Sequence, residues 1–538
     1  MGKNVAPGVY VSEIDQTQYV GAGSPTIVGV VGYAEKGTPF EIETVTNFAD
    51  FRKKYGTAQS YLTYAAMFFF RSGGTQLKVV RATNNAQIAA ALIKYDSVNT
   101  EWIVIPQSDS SFPTEYNITD SVNYATPSGT DEKLLIYAKN PGTWGNNLSV
   151  KVVSKAAFDA SPSTYMKYTD GSIPDNTYFL FIVYENEEVV DYFVGSTSPN
   201  AVDAFGNSLF IPEVASRSEY VAITISPDFV NAAVSDNVEV VAALDSGSNG
   251  DLSLPTSKIN QGYNLFQDKV NIDIDILASI GNTTVEVLNN IASIVDGRGD
   301  CFAILDIPFG MSVDEAITFR TTTANINTSY AAFYYNWLKF FDPENNVNVY
   351  IPPTAAIVGV YAKNDLSGEY WFAPAGSTRG SILNVIDLEN DLSEGDIEQL
   401  YANQINPIVS YPGVGITVWG QKTATYNMSA FSRINIRRLL IKIKKDLSAA
   451  LKQFVFEQND SFTRARVKLA IDPYLRDIKS RRGIEDFKVV CDESNNTSDV
   501  IAQNKLIVDT YIKPIFAIDY INVRITVTKE DVDVLLKQ

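Results

Sequence analysis

The sequence contains no histidine among its 538 residues. That excludes a histidine general base, a Ser-His-Asp or Cys-His nucleophile system, and every imidazole metal ligand. Cysteine is scarce too. Cys301 and Cys491 cannot build a four-cysteine zinc site and are too few for a disulfide framework, so both read as core thiols. No run of 18 or more apolar residues is present, so no segment reads as a membrane-spanning helix. The opening, MGKNVAPGVYVSEID, lacks the apolar stretch of a secretory signal. The expectation is therefore a soluble chain made and kept in cytoplasm. Positive charge is also short: 43 Lys and Arg face 62 Asp and Glu, a net of −19, which argues against a general nucleic-acid binder.

Motifs for small-molecule chemistry are missing as well. GAGSPT (21–26) and FRSGGTQ (70–76) fit neither a P-loop nor a G-x-G-x-x-G turn, and both read as turns or helix stops. Arg298-Gly299-Asp300 spells an integrin-type tripeptide, but its setting between a helix and a buried strand makes it a turn. NIDIDIL (271–277) and DLENDLSEGD (387–396) do not follow EF-hand spacing; the first alternates like a strand and the second offers SEGD as a helix cap. No carboxylate pair stands out for glycoside hydrolysis. The chain is read as a non-enzyme, with no catalytic, cofactor or metal residue assigned.

What is present is core-forming material: 45% hydrophobic and 12% aromatic residues, enough length for three to four domains. TIVGVVGYA (26–34) reads as a buried strand and TNFADFRKKYG (46–56) as a helix capped by Thr46 or Asn47 and stopped by Gly56. In YLTYAAMFFFRSGG (61–74), Leu62, Ala65, Ala66 and Phe69 share one helical face, and LKVVRA (77–82) follows as a strand. From about 95 to 265 the chain turns polar and carries short alternating runs: WIVI, LLIYA, LSVKVV, YFLFIVYE, VVDYFV and YVAITI, the pattern of small β domains. Helices and strands alternate again from about 270. INIRRLLIKIKKDLSAALKQFVFEQN (434–459) reads as the longest helix, and FAIDYINVRITVT (516–528) as a closing strand.

The fold class that follows is α+β multidomain: mixed α/β core domains, an inserted β-rich outer region, and extended β-strand arms at both termini. The expected parts are an N-terminal arm (1–20), a discontinuous middle α/β domain (21–92 with 266–388), a small β segment (93–130), a β-rich insertion (131–265), a C-terminal α/β domain (389–515) and a C-terminal strand (516–538). Charge is uneven along the chain. Residues 422–488 hold 16 Lys or Arg against 7 Asp or Glu, a net of +9, which leaves −28 for the remainder. On the long helix Ile436, Leu439, Leu440, Ile443, Leu447, Leu451 and Phe454 form an apolar face. Arg438, Lys442, Lys445 and Lys452 fall opposite it, either a solvated back or a dock for an acidic partner. Lys479, Arg481 and Arg482 form a rival basic stripe.

The ordered segments resemble the tail sheath proteins of contractile-tailed bacteriophages. The resemblance rests on PGVYVSEID (7–15), VGYAEKGTPFEIETVTNFADFRKKYG (31–56), YAAMFFFRSGGTQLKVVRA (64–82), NPGTWGNNLSVKV (140–152), YAAFYYNWLKFFDP (330–343), IPPTAAIVGVYAKND (351–365), WFAPAGSTRG (371–380), LYANQINPIVSYPGVGITVWGQKT (400–423) and the INIRRLL…FVFEQND stretch. It covers nearly all of the chain except about 95–130. It implies a virion subunit, assembled in host cytoplasm, that polymerises around an inner tail tube and meets baseplate and tail terminator proteins at the ends, with no nucleic acid or membrane partner. It also implies contraction from a metastable extended state that drives the tube through the host envelope. A bacteriocin or other phage-like injection particle is the alternative. On this reading the C-terminal domain is the inner one and faces the tube through either basic stripe, residues 93–265 lie on the outside, the 93–130 segment being variable, and the terminal arms link neighbours. Val9, Tyr10 and Val11, with Ile521, Val523, Ile525 and Val527, belong to strands handed to neighbouring subunits.

Overall fold

The computed structural model describes residues 26–169 and 173–520. The chain divides into two compact units. Among the described residues one comprises 26–369 with 374–434; the other comprises 435–520 with the strap Tyr370–Ala373.

The larger unit is built on an eight-stranded sheet. Its order is Gly415–Val418, Ile405–Tyr411, Ala331–Tyr335, Phe302–Asp306, Ile276–Ala278, Ile27–Gly32, Gln76–Arg81 and Ile42–Val45. The six inner strands pair in parallel and the two end strands antiparallel. A parallel sheet needs cover on both faces. The helices Thr256–Asn264 and Val285–Arg298 supply one cover through Ile259, Tyr263, Val287, Leu288 and Ile291. The helices Tyr61–Arg71 and Pro353–Ser367 pack on each other and on the sheet. Gly29 marks how tight one face is: a Cβ there would sit 2.9 Å from the Phe266 ring. A three-stranded sheet, Val347–Ile351, Leu338–Asp342 and Val385–Leu388, adjoins this core.

The expected β region forms two four-stranded sheets. One orders Val221–Ile225, Glu132–Ala138, Ala90–Asp96 and Glu101–Pro106; the other Glu239–Ala243, Leu148–Ser154, Tyr178–Glu185 and Glu188–Ser196. Leu92, Ile136, Val150, Phe181 and Ile223 share one core between them, so the arrangement is a sandwich. The sequence reading divides this region at residue 130. In the structure Ala90–Asp96, from before that point, pairs with Glu132–Ala138 after it, because both bury runs of apolar residues in the same core.

Arg81, fully buried, ties sandwich to sheet. One guanidinium nitrogen donates to both Gly37 O and Pro141 O at 2.7 Å, and another to Glu35 O at 3.3 Å. Burial without a carboxylate partner pushes its pKa down to about 10.

Several local readings differ from the structure. YAAFYYNWLKFFDPENN (330–346), which reads from the sequence as an aromatic strand with a turn, holds two strands in two sheets, broken at Asn336, whose φ of 93° turns the chain. The expected C-terminal domain starts at 389. In the structure Ile405–Tyr411 and Gly415–Val418 extend the eight-stranded sheet instead, with Asn406 donating to Phe333 O and Lys422 O. The helix from Ile434 stops at Leu451, short of 459, and a one-turn 3-10 segment then leads into a turn at Phe456, φ 73°. Among the described residues the longest helix is the next one, Ser461–Ser480, capped by Asp460; Pro473 inside it masks the pattern.

The smaller unit packs these two helices against a two-stranded antiparallel sheet, Ile484–Val490 with Asp509–Pro514. Its core holds Trp371 from the strap, Leu439, Ile443, Val467, Ile471, Leu475, Ile478, Ile484 and Val489.

Candidate assembly surface

Both expected kinds of functional residue concern contacts with other chains. Val9, Tyr10, Val11, Ile521, Val523, Ile525 and Val527 lie outside the described residues. The approach to the C-terminal arm is visible. The Asp509–Pro514 strand ends at proline, which has no N–H for the ladder, and residues 515–520 follow outside any strand. Of the strand expected over 516–528, residues 516–520 are outside any strand and 521–528 lie outside the described residues; DTYIKP is a paired strand just before it. Beyond it Phe516, Ile518 and Tyr520 are all exposed, Ile518 at 78%.

The sheet they leave is short of partners. Neither Ile484–Val490 nor Asp509–Pro514 has a second neighbour strand among the described residues, so two rows of backbone N–H and C=O groups remain open. Tyr511 and Lys513 stand exposed on one strand, Glu485, Asp486 and Lys488 on the other. Lys513 pairs with Glu485 at 2.7 Å across the sheet.

The basic residues do not form one free stripe. Arg438 is 5% exposed, with its guanidinium 5.6 Å from the Tyr370 ring centre. Lys442 sits over the same ring at 5.1 Å and pairs with Asp446 at 3.0 Å. Asp446 also accepts the Tyr474 hydroxyl at 2.7 Å; burial, then the carboxylate's charge, pushes that phenol far above its usual value. Lys445 is half-buried, and Lys452 is exposed past the end of the α-helix. In the rival stripe Lys479 pairs with Asp486 at 2.8 Å, Arg481 pairs with Asp477 at 2.6 Å and lies over Trp371, and Arg482 is exposed. An acid one turn or one strand away was the signal that sequence-based charge counting passed over. Further along, an exposed apolar rim that periodicity did not reveal runs through Val455, Phe456 (99% exposed), Phe462 and Leu469.

Other candidates resolve into structure. Arg298 is buried at the end of its helix and donates to Phe266 O, Asp268 O, Ile272 O and the Asp300 carboxylate, so the tripeptide offers no arginine to a receptor. Gly299, φ 64°, closes that helix. Ser393 and Asp396 form a capping box, as the SEGD pattern indicated. Asp306 ends an inner parallel strand, where α/β folds place ligand sites. Its carboxylate is already taken by Ser279 Oγ, Gly281 N, Thr354 N and Thr354 Oγ1 at 2.5–2.8 Å. Burial nevertheless pushes its pKa up. Cys301 and Cys491 are buried free thiols. Among the described residues no group of three acidic or thiol side chains could hold a metal, and no helix is long and apolar enough to cross a membrane.

Comparison with known proteins places this architecture in a family. Residues 258–424 match the phage tail sheath protein central domain and residues 427–528 the phage tail sheath C-terminal domain, together half of the chain. The tail sheath protein of Enterobacteria phage T4 is 26% identical, over 98% of this chain and 98% of that protein. The tail sheath protein of Vibrio phage KVP40 is 30% identical, over 74% of this chain and 65% of that protein. The fold is shared with the sheath tail protein of Listeria innocua (TM-score 0.59, 15% identity, 92% of this chain and 93% of that one). It is also shared with the sheath of the extracellular contractile injection system PVC in its contracted state (TM-score 0.52, 16% identity, 98% of both). The chain belongs to the phage tail sheath protein family.

Proposed function

We propose that the chain is the repeating subunit of a contractile phage tail sheath, doing its work through assembly and rearrangement rather than catalysis. The observation that carries this reading is the unfinished two-stranded sheet of the smaller unit. Among the described residues it has two open edges, and an exposed apolar segment leaves one of its strands. A strand added from a neighbour satisfies those backbone groups, and a chain that both gives and receives strands builds a non-closing polymer. Family membership supplies the same direction independently.

In this proposal the N- and C-terminal arms link neighbouring copies. The polymer surrounds an inner tail tube, meets a baseplate and a terminator at its ends, and belongs to the virion after assembly in host cytoplasm. The β sandwich, which has its own core, forms the outer insertion. The smaller unit approaches the tube through its exposed cations, Lys452 and Arg482, rather than through Arg438. Each such contact is worth little, about 0–1 kcal/mol, so repetition along the tail holds sheath to tube while leaving it free to release. Contraction moves subunits as rigid bodies about their arms and requires no nucleotide.

Negative-stain imaging of the purified chain tests the reading, with deletions of 1–15 and 517–538 alongside. Striated tubes from the full chain, and folded monomers by circular dichroism and sedimentation from either deletion, are expected. Monodisperse full-length monomers, or tubes that assemble without an arm, contradict it.

A further inference from the structure

In the larger unit, a cleft of about 220 Å³ opens between two helices and a loop. Phe68, Arg71 and Ser72 come from the end of Tyr61–Arg71, Ala356, Val360 and Lys363 from one face of Pro353–Ser367, and the last wall is 381–384. Gly359 lets the two helices close: a Cβ there would stand 2.6 Å from Ser72 Oγ and 2.7 Å from Phe68 O.

The polar lining is entirely capable of donating hydrogen bonds. Arg71, Ser72, Lys363, Ser381 and Asn384 bring a guanidinium, an ammonium, two hydroxyls and an amide together. None of these five side chains makes a hydrogen bond or ion pair among the described residues. Arg71 closes its own helix, where a cation offsets the dipole, but that accounts for one donor of five. Two cations and three further donors converging on one space form a receptor for a carboxylate or similar anion. The space is smaller than the ~300–1,000 Å³ of small-molecule sites, which points to one side chain rather than a nucleotide. The surroundings select the source. Leu383 on the cleft wall is 62% exposed, and Leu366, against Gly73 at the end of the first helix, is 70% exposed. A free anion leaves such a rim wet, whereas a protein surface covers it. The chain itself is the protein with carboxylates in excess, 62 acids against 43 bases.

We infer that this cleft is a subunit contact, receiving an Asp or Glu side chain from a second copy of the chain. The inference rests on the sheath reading and adds to it a contact made without arms or strand exchange.

Zero-length carbodiimide coupling tests it in tubes assembled from mixed light and heavy-isotope copies. Lys363 Nζ should form an amide with an acidic peptide of the other isotope. Arg71→Glu/Lys363→Glu, and the milder Arg71→Gln/Lys363→Gln, should keep the wild-type circular dichroism. The reversal should raise the assembly concentration by ~10-fold or more. Lys363→Arg should assemble normally while losing the coupling. Three results overturn the inference while leaving the sheath intact. They are tubes in which Lys363 stays uncoupled or couples only within its own copy, charge-reversed chains that assemble at the wild-type concentration, and protection of Lys363 by inorganic phosphate in unassembled chain with no change on assembly. Wild-type chain that never forms tubes overturns the sheath reading, and this contact with it.

Discussion

The eight-stranded sheet of the larger unit and the two-stranded sheet of the smaller one handle the same problem in opposite ways. The large sheet ends in short antiparallel strands, and its Gly415–Val418 edge is further covered by backbone bonds to Gly380 O and from Ile382 N. Its inner strands are buried almost residue for residue: AAFYY and FAILD expose nothing. Among the described residues the small sheet is Ile484–Val490 and Asp509–Pro514 alone, with exposed positions on both strands. One region is complete within a single chain. The other has, among the described residues, open edges and exposed apolar residues, which the proposed strand exchange between neighbours would cover. A protein that must hold its shape while its contacts rearrange has reason to separate the two.

Mutations should separate them as well. Phe333→Ala, in the closed sheet, removes a fully buried ring and should cost about 3–5 kcal/mol, read as a drop in denaturant midpoint for the larger unit. Arg438→Glu should follow. It places an anion beside Tyr370 and Lys442 in a buried position and should destabilise the smaller unit by about 2–4 kcal/mol by thermal melting. Were Arg438→Glu silent for stability but harmful to tail assembly, the cation would be a docking residue after all.

A third prediction uses pH. Glu132 is buried in the sandwich, which alone would raise its pKa. Hydrogen bonds from Tyr116 and Gly129, the Lys94 charge at 3.6 Å and a bond from Ser128 outweigh this and hold it below the ordinary carboxylate value. A carboxylate whose folded pKa is depressed stabilises the fold above its unfolded pKa, about 4.3, and loses that contribution as pH falls through the folded value. Glu132→Gln should therefore cost about 1–2 kcal/mol at pH 7 and progressively less in acid, measured by urea unfolding at both pH values. An equal cost at pH 7 and pH 3 contradicts the assignment. The smallest expected effect belongs to the open region. Phe516→Ala and Ile518→Ala should change monomer stability by less than ~0.5 kcal/mol, because neither ring nor chain is covered there, yet they should impair tube formation. A large loss of monomer stability would return the segment to its own subunit's core.

How much of this was legible in the sequence depended on periodicity. Apolar β-prone runs such as YFLFIVYE and capped helices such as NFADFRKKY stand in the structure where the pattern put them. The helix Pro353–Ser367 did not announce itself, because it is apolar all round and buried from Pro353 through Ala362, so no period of 3.6 survives. Ser461–Ser480 was hidden by Pro473. The strand Ala90–Asp96 begins in four buried residues without alternation, the pattern of a strand covered on both faces. The basic stripe looked free because Asp446, Asp477 and Asp486 are matched to their cations only by helix and sheet geometry. The donor cleft was out of reach altogether: its walls come from residues near 70, 360 and 382, and nothing local in those segments marks them as a set.

Amide hydrogen exchange, compared between monomer and assembled tube, bears most directly on the contrast between closed and open sheets. The account predicts that Ile484–Val490 and Asp509–Pro514 exchange readily in the monomer and become strongly protected on assembly, while Phe302–Asp306 is equally protected in both. Unchanged exchange in the two-stranded sheet on assembly would contradict it.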